Sequence, residues 1–234
     1  MNRFCFLFAA LTVGAGLVGA SVTYQYTTTA INYTGAGTVD TSGTCTANTV
    51  NSVAASYCID FASSVSNTEY VLAYSGVTNE TGTAGAPPIG TGDTFGFFEV
   101  FCETTGTSTQ VSTCGSASFS GDLSINVAQT LPAVSSGQFV DALSGGYTNV
   151  TTGAGVLTFA TTSFNYLAPP INLFYVLQQP TTPVDGYILN NPGSVTSIQG
   201  VIINENANAP EPGTLATLGA GLALLGLISS RRRT

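Results

Sequence analysis

The chain lacks the side chains on which many protein functions depend. It has no histidine, no lysine and no tryptophan among 234 residues, and its four basic residues are Arg3 and Arg231–Arg233. Without histidine or lysine it can form no Ser-His-Asp or Cys-His arrangement, no Ser-Lys dyad and no Schiff base. Residues 21–209 also lack the basic groups that neutralise nucleic-acid phosphates. We therefore expect no nucleic-acid partner and none of the common hydrolase mechanisms.

Carboxylates are the only ionic side chains in residues 21–209, which hold all of the chain's twelve acidic residues except Glu211. Paired carboxylates could still hydrolyse glycosides. Glu99 and Glu103 would share one face of a regular strand, but ~13 Å apart, beyond the ~5–9.5 Å that such a pair needs. A pair from distant loops, such as Asp93 with Asp141, stays open. We nevertheless expect no enzymatic activity, no cofactor and no metal site.

The amino terminus has the features of an export signal. Arg3 supplies a positive start, Phe4–Val18 form an apolar stretch, and Val18-Gly19-Ala20 match the small residues that signal peptidase reads. The pattern predicts a signal peptide over residues 1–20, removed before Ser21, and places the remaining chain outside the cytoplasm.

The carboxyl terminus has three consecutive parts. Pro210-Glu211-Pro212 precede an uncharged run over Thr214–Ser230, and Arg231–Arg233 close the chain. As a helix this run would reach ~25 Å, against a hydrocarbon core of ~30 Å, so it is short for a permanent span. Terminal arginines resist transfer across the bilayer and would hold that end in the cytoplasm.

These three parts resemble the PEP-CTERM sorting signal of exopolysaccharide-producing Gram-negative bacteria, a likeness confined to residues 210–234. The resemblance implies that an exosortase, a membrane transpeptidase-like enzyme, recognises Pro210-Glu211-Pro212 and removes the tail. The apolar helix would then anchor the protein in the membrane only before processing, with Arg231, Arg232 and Arg233 as the cytoplasmic stop.

The residues between the two signals predict a β-rich extracellular domain over 21–203, followed by a polar linker over 204–209. Apolar and polar residues alternate at Val22–Tyr26 and at Leu123–Val127, as in half-buried strands. Further strands are predicted at Tyr70–Tyr74, Gly155–Asn165, Ile171–Gln178, Tyr187–Leu189 and Val201–Asn204. Strands at roughly ten-residue spacing with turn residues between them indicate an all-β, antiparallel β-sandwich or jelly-roll-like domain.

Two segments give more detailed expectations. Thr94–Glu103 is apolar on both faces and predicts a central strand. Regular alternation would place Phe95, Phe97 and Phe101 on one side, and Phe98, Val100 and Cys102 on the other. Residues 49–57 have apolar side chains at helical spacing, so one short helix is expected there.

Four cysteines remain after signal removal: Cys45, Cys58, Cys102 and Cys114. An even number in an exported chain indicates two disulfides. Of the three possible connectivities, pairing Cys45 with Cys58 and Cys102 with Cys114 costs the least closure entropy. A zinc site is disfavoured, because the chain has neither a CxxC pair nor histidine.

These features predict an exported structural or adhesive component of the cell surface or exopolysaccharide matrix. Its expected partners are signal peptidase, an exosortase-type enzyme, the membrane and exopolysaccharide. The first alternative is a glycan- or calcium-dependent binding module, with Tyr24, Tyr26, Tyr147 and Tyr166 as candidate sugar-stacking rings. Asn204–Asn208 offer oxygen atoms that could bind calcium, although a spacer before Pro210 is the preferred interpretation. A carboxylate-based glycosidase ranks lower.

Overall fold

The computed structural model describes residues 21–40, 43–85, 91–168, 171–180 and 186–205. The expected signal peptide, most of the linker and the whole sorting segment lie outside these ranges. Among the described residues, no helix is both long and apolar enough to cross a bilayer. A 3₁₀ turn lies at Cys45–Ala47.

The described chain forms two antiparallel seven-stranded sheets and one small hairpin. The strands of sheet A are β1 (Val22–Gly35), β7 (Glu80–Ala84), β9 (Ala117–Ser118), β10 (Gly121–Leu131), β11 (Ser135–Asn149), β12 (Thr152–Phe159) and β15 (Tyr187–Leu189). Their order in the sheet is β15-β12-β11-β10-β1-β7, with β9 paired to β11.

The strands of sheet B are β2 (Thr38–Val39), β5 (Tyr57–Ala62), β6 (Thr68–Ser75), β8 (Thr91–Thr104), β13 (Ser163–Ala168), β14 (Ile171–Leu177) and β16 (Val195–Asn204). Their order in the sheet is β13-β14-β16-β8-β6-β5-β2. The hairpin consists of β3 (Thr49–Val50) and β4 (Val53–Ala54).

The two sheets pack face to face around an aromatic core, which confirms the all-β class and the antiparallel sandwich. Phe95 of sheet B contacts Phe139 of sheet A with ring centroids 5.2 Å apart. The buried tyrosines direct their hydroxyls to fixed acceptors across the sandwich. Tyr26 donates to the Thr94 carbonyl at 2.9 Å, and Tyr74 donates to the Thr28 hydroxyl, also at 2.9 Å. The core therefore buries large rings without leaving these hydroxyls unpaired.

The short helix expected within residues 49–57 is absent, and that prediction was wrong. The segment forms the β3–β4 hairpin, in which Val50 pairs with Val53 across a two-residue turn. Asn51 and Ser52 both have positive φ, at 50° and 65°, as a type I′ hairpin turn requires. The helical spacing of the apolar residues is therefore coincidental, and the turn chemistry of Asn51-Ser52 decides the local structure.

Strand β8 is central and covered on both faces, as predicted, but the assignment of its phenylalanines to faces was wrong at one position. A bulge shifts the pairing between Ser197 and Gln199, which face Phe97 and Thr94. It turns Phe95 into the inter-sheet core together with Phe98, whereas Phe97 and Phe101 face outward. Gly96, at the bulge, has φ +125°, and a Cβ there would lie 2.5 Å from the Tyr74 ring.

The strand expected at Gly155–Asn165 is two strands in different sheets. β12 ends at Phe159 in sheet A, and β13 begins at Ser163 in sheet B. The chain crosses from one sheet to the other between them, where the Ala160 and Thr161 amides both donate to the Val140 carbonyl. Thr161–Ser163 interrupt the apolar alternation, which changes phase between Phe159 and Phe164, and the prediction of a single strand overlooked this signal.

Candidate functional site

The predicted sorting residues lie outside the described residues, so the structure does not place Pro210, Glu211, Pro212 or the terminal arginines. The structure does define where the β domain ends before the sorting segment. Asn204, the last residue of β16, pairs with Leu173, and its amide donates to the Gly85 carbonyl at 2.9 Å. The chain therefore leaves the sandwich from a well-bonded strand, at Glu205.

The four cysteines form the two local disulfides predicted from their spacing. Cys45–Cys58 and Cys102–Cys114 have Cα–Cα distances of 5.6 and 5.9 Å, within the usual range. Cys45–Cys58 attaches residues 43–55, which we call the cover, to the outer face of sheet B. Cys102–Cys114 attaches the segment that follows β8.

The cover seals a small second core on the outer face of sheet B. Val50 and Ala55 of the cover are buried against Val71, Ala73 and Phe101 of the sheet. Two carboxylates lie beneath the same segment: Glu99 is 8% exposed and Glu103 only 1%. Glu99 and Glu103, which their separation already excluded as a glycosidase pair, are therefore also buried. Sequence reasoning missed this burial because the cover comes from a distant part of the chain.

Each of these two carboxylates makes a contact with the cover. The backbone N–H of Asn51, in the hairpin turn, donates a hydrogen bond to the Glu99 carboxylate. The Asn48 Nδ2 donates to Glu103 Oε2 at 3.5 Å, whereas Glu103 Oε1 has no hydrogen-bond partner. Burial raises the pKa of both groups, that of Glu103 to about 7. Burial thus favours the protonated form of both carboxyls on the covered face.

More carboxylates surround Glu103 on the covered face. Glu69 lies directly opposite Glu103 in the β6–β8 register and accepts the Gly106 amide at 2.8 Å. Burial, reinforced by Glu69, Asp40 and Glu103, raises the pKa of Asp60 to about 7. Opposed like charges are unfavourable on a sheet, so protonation relieves this cluster.

The open pair considered above, Asp93 and Asp141, is divided between the two sheets, and each carboxyl has its own local role. Asp93 on β8 accepts the Tyr24 hydroxyl at 2.6 and 2.7 Å, and burial raises its pKa. Asp141 on β11 is 1% exposed and accepts the Leu123 amide at 2.9 Å, while its Oδ2 has no partner. Burial raises the pKa of Asp141 to about 8.

The burial of Asp141 was missed by sequence reasoning, although a signal was present. Phe139, Asp141 and Leu143 occupy alternate positions of one strand, and all three are buried. Because alternate residues of a strand point to the same face, the position of Asp141 between two apolar residues predicts that its side chain faces the core. Such a carboxyl is kept neutral by its surroundings and accepts a backbone hydrogen bond there.

The tyrosines predicted as sugar-stacking candidates are not available at the surface. Tyr24 and Tyr26 are 0% exposed, Tyr147 is 2% and Tyr166 is 8% exposed. The remaining six tyrosines, all within the described ranges, are buried or half-buried. Glycan binding through an open tyrosine face therefore has no support in these strands.

The described surface has little that resembles a catalytic or metal centre. A depression of about 290 Å³ lies beside the Cys102–Cys114 disulfide, between Val111, Val150 and Pro192, and none of its lining residues is charged. Within the described ranges, no group of three acidic or cysteine side chains is placed to hold a metal ion.

Comparison with known protein families finds the PEP-CTERM protein-sorting motif at residues 208–233. The match confirms the resemblance drawn from Pro210-Glu211-Pro212 and the residues after them, and it leaves the β domain without an assigned family. No curated protein and no solved structure gives a significant match to the chain.

Proposed function

We propose that the β domain is a structural or adhesive component of the cell surface or the exopolysaccharide matrix. The motif at residues 208–233 marks an exported protein with an exosortase-type sorting signal. This motif carries the proposal, because it directs the preceding domain to the exterior. An exported domain with two disulfides and a closed aromatic core suits a role that depends on durability.

We also propose that the β domain has no catalytic activity. The two acids that sequence analysis left open for a reaction are buried and hold parts of the fold: Asp93 accepts from Tyr24 and Asp141 from Leu123. In these positions the carboxyls contribute to structure, and the domain acts through its surface. The exosortase partner is implied by the motif, and exopolysaccharide is the proposed surroundings of the processed domain.

The experiment is complementation of a gene deletion in the native host. One strain receives the full chain and another receives residues 1–205, which lack the motif. We expect the full chain to be retained in the surface or matrix fraction and to restore cohesion of the matrix. The shortened chain should be exported and lost to the medium. Equal retention of both chains would contradict delivery by the sorting segment.

Mass spectrometry of the protein recovered from the first strain tests processing. The expected product begins near Ser21 and lacks Arg231–Arg233. A third strain carrying Asp93→Asn and Asp141→Asn separates structure from catalysis. These near-isosteric changes should leave matrix cohesion intact, provided that the variant accumulates to the wild-type level. Loss of cohesion at normal abundance would argue for a reaction at those carboxyls.

A further inference from the structure

Several features place the exit of the chain beside one hairpin tip. Glu205, where the described chain ends, accepts a hydrogen bond from the Asn172 side chain. Asn172 pairs directly with Leu167 in the β13–β14 register. The segment that leads to the sorting motif therefore starts next to Leu167, whose side chain is 68% exposed.

A second hairpin tip lies at the same end of the sandwich. β13 packs against the start of β11, so that a Cβ on Gly137 would meet the Phe164 ring at 2.3 Å. Gln129, which opposes Ser135 near this tip, accepts the Tyr175 hydroxyl at 2.5 Å. From these contacts the chain leads back through the start of β11 to Val134 and forward along β13 to Leu167. Both side chains therefore lie at the same end of the sandwich.

Both tips are apolar and uncharged. Val134 is 85% exposed and Leu131 is 44% exposed, and together with Leu167 they form what we call the apolar end. Val134 and Leu167 are the most exposed large apolar side chains of the described ranges. Residues 129–135 and 165–172 contain no acidic residue, in a chain whose formal net charge is −8. The two tips add no negative charge of their own where they would meet an anionic membrane surface, and the Glu205 carboxylate at this end is bound by the Asn172 amide.

The length of the tail keeps this end close to the bilayer. Eight residues, 206–213, separate Glu205 from the apolar run that begins at Thr214. Fully extended they span at most ~29 Å, so the domain is confined to a thin layer above the membrane. A tether of this length raises the local concentration of the lipid surface around the exposed side chains.

We propose that the apolar end rests on the lipid bilayer before the tail is removed, with Leu131, Val134 and Leu167 in the interfacial layer. This inference depends on the proposed membrane-anchored intermediate. It orients the domain so that its exit points towards the membrane, where the processing enzyme acts. The opposite end, with the β5–β6 turn at Val65, faces away from the membrane.

The absence of tryptophan from the chain allows a direct test with single fluorescent probes. Three full-length variants, Val134→Trp, Leu167→Trp and Val65→Trp, are reconstituted in phosphatidylcholine–phosphatidylglycerol vesicles with and without brominated lipid. Val65 is the matched control, because it is a 42% exposed apolar residue at the far end. Apolar groups at a bilayer interface lie ~5–10 Å into the headgroup boundary, so we expect at least about twofold stronger quenching at positions 134 and 167 than at 65.

The outcomes separate this inference from the proposed function. Co-flotation with vesicles, together with equal quenching at all three positions, overturns the orientation and leaves the membrane anchor standing. Failure of the full chain to float with vesicles overturns the anchor and this inference together. Self-association is the remaining outcome. A blue shift of the tryptophan emission at positions 134 and 167 that increases with protein concentration, and that brominated lipid does not affect, would place a second copy of the chain there and overturn the proposal.

Discussion

The two faces of sheet B deal with polar groups in different ways. The inner face meets sheet A in an aromatic core, where hydroxyls such as those of Tyr26 and Tyr74 have specific acceptors. The outer face beneath the cover holds Glu99 and Glu103, and the Glu103 Oε1 atom has no partner. With no cationic side chain in residues 21–209, the outer face relies on protonation, amide donors and a disulfide. The inner face should therefore set the overall stability, whereas the buried acids, Glu103 beneath the cover and Asp141 in sheet A, should set its dependence on pH.

The largest expected effect is in the inner core. Phe95→Ala removes a fully buried ring that contacts Tyr26, Phe139 and Tyr175. We expect a loss of ~3–5 kcal/mol in the free energy of unfolding, because a cavity forms in a tightly packed site. Urea unfolding followed by circular dichroism measures it. Val65→Ala, at an exposed site, is the control and should change stability by less than ~0.5 kcal/mol. Equal losses would contradict the assignment of the core.

The next effect concerns the attachment of the cover. The double change Cys45→Ala/Cys58→Ala opens a loop with a sequence separation of 13 residues and should cost ~3 kcal/mol. Protection from hydrogen exchange should fall in residues 43–55 and persist in β10, in sheet A. The matched variant Cys102→Ala/Cys114→Ala should cost about as much but leave the cover protected. If both variants lose the same protected segments, the cover is not an independently attached element.

A smaller effect arises from buried acids, and its sign follows from their pKa values. Burial raises the pKa of Asp141 from 3.8 to about 8, so the folded state holds this proton over a range in which the unfolded chain releases it. The group therefore contributes stability below pH ~4, and this contribution is lost as the pH rises to about 8. Asp141→Asn keeps the acceptor for the Leu123 amide and removes the titration. We expect the variant to be roughly 1–3 kcal/mol more stable than wild type at pH 8.5, and similar to it at pH 4.

Equilibrium unfolding in urea at these two pH values provides the measurement for Asp141→Asn. The control is Val65→Ala, which changes an exposed side chain without altering any ionisable group and should leave the pH dependence of stability unchanged. If the free energies of unfolding of Asp141→Asn and wild type differ by the same amount at both pH values, Asp141 does not change its protonation on unfolding.

The smallest effect tests the amide above Glu103. Asn48 is 3% exposed, and its amide is the donor to Glu103 Oε2. Asn48→Ala should cost about 1 kcal/mol. Asn48→Asp preserves size but adds another carboxylate to the covered face, so its cost should grow between pH 4 and 8.5. A cost for Asn48→Asp that does not change with pH would separate this position from the acidic cluster.

Local patterns predicted much of this fold. Alternation at Leu123–Val127 identified β10, the cysteine spacing indicated both disulfides, and the tail identified the sorting motif. The errors arose where local and long-range effects compete. Apolar spacing over residues 49–57 fits a helix, but Asn51-Ser52 forms a hairpin turn. The burial of Glu99 and Glu103 depends on a cover much earlier in the chain, with β5, β6 and β7 in between, which no local pattern can reveal.

The dependence of stability on pH tests the central claim most directly. This claim is that a domain without cationic side chains stabilises its buried carboxyls in the neutral form, by protonation. The measurement is the free energy of unfolding in urea of the processed protein, from pH 4 to pH 8.5 at constant ionic strength. Because the pKa values of Asp60, Glu103 and Asp141 are raised to about 7, 7 and 8, stability should fall steadily as the pH rises through this window. A stability that rises towards neutral pH, as paired carboxylates would produce, or a flat profile would contradict the account.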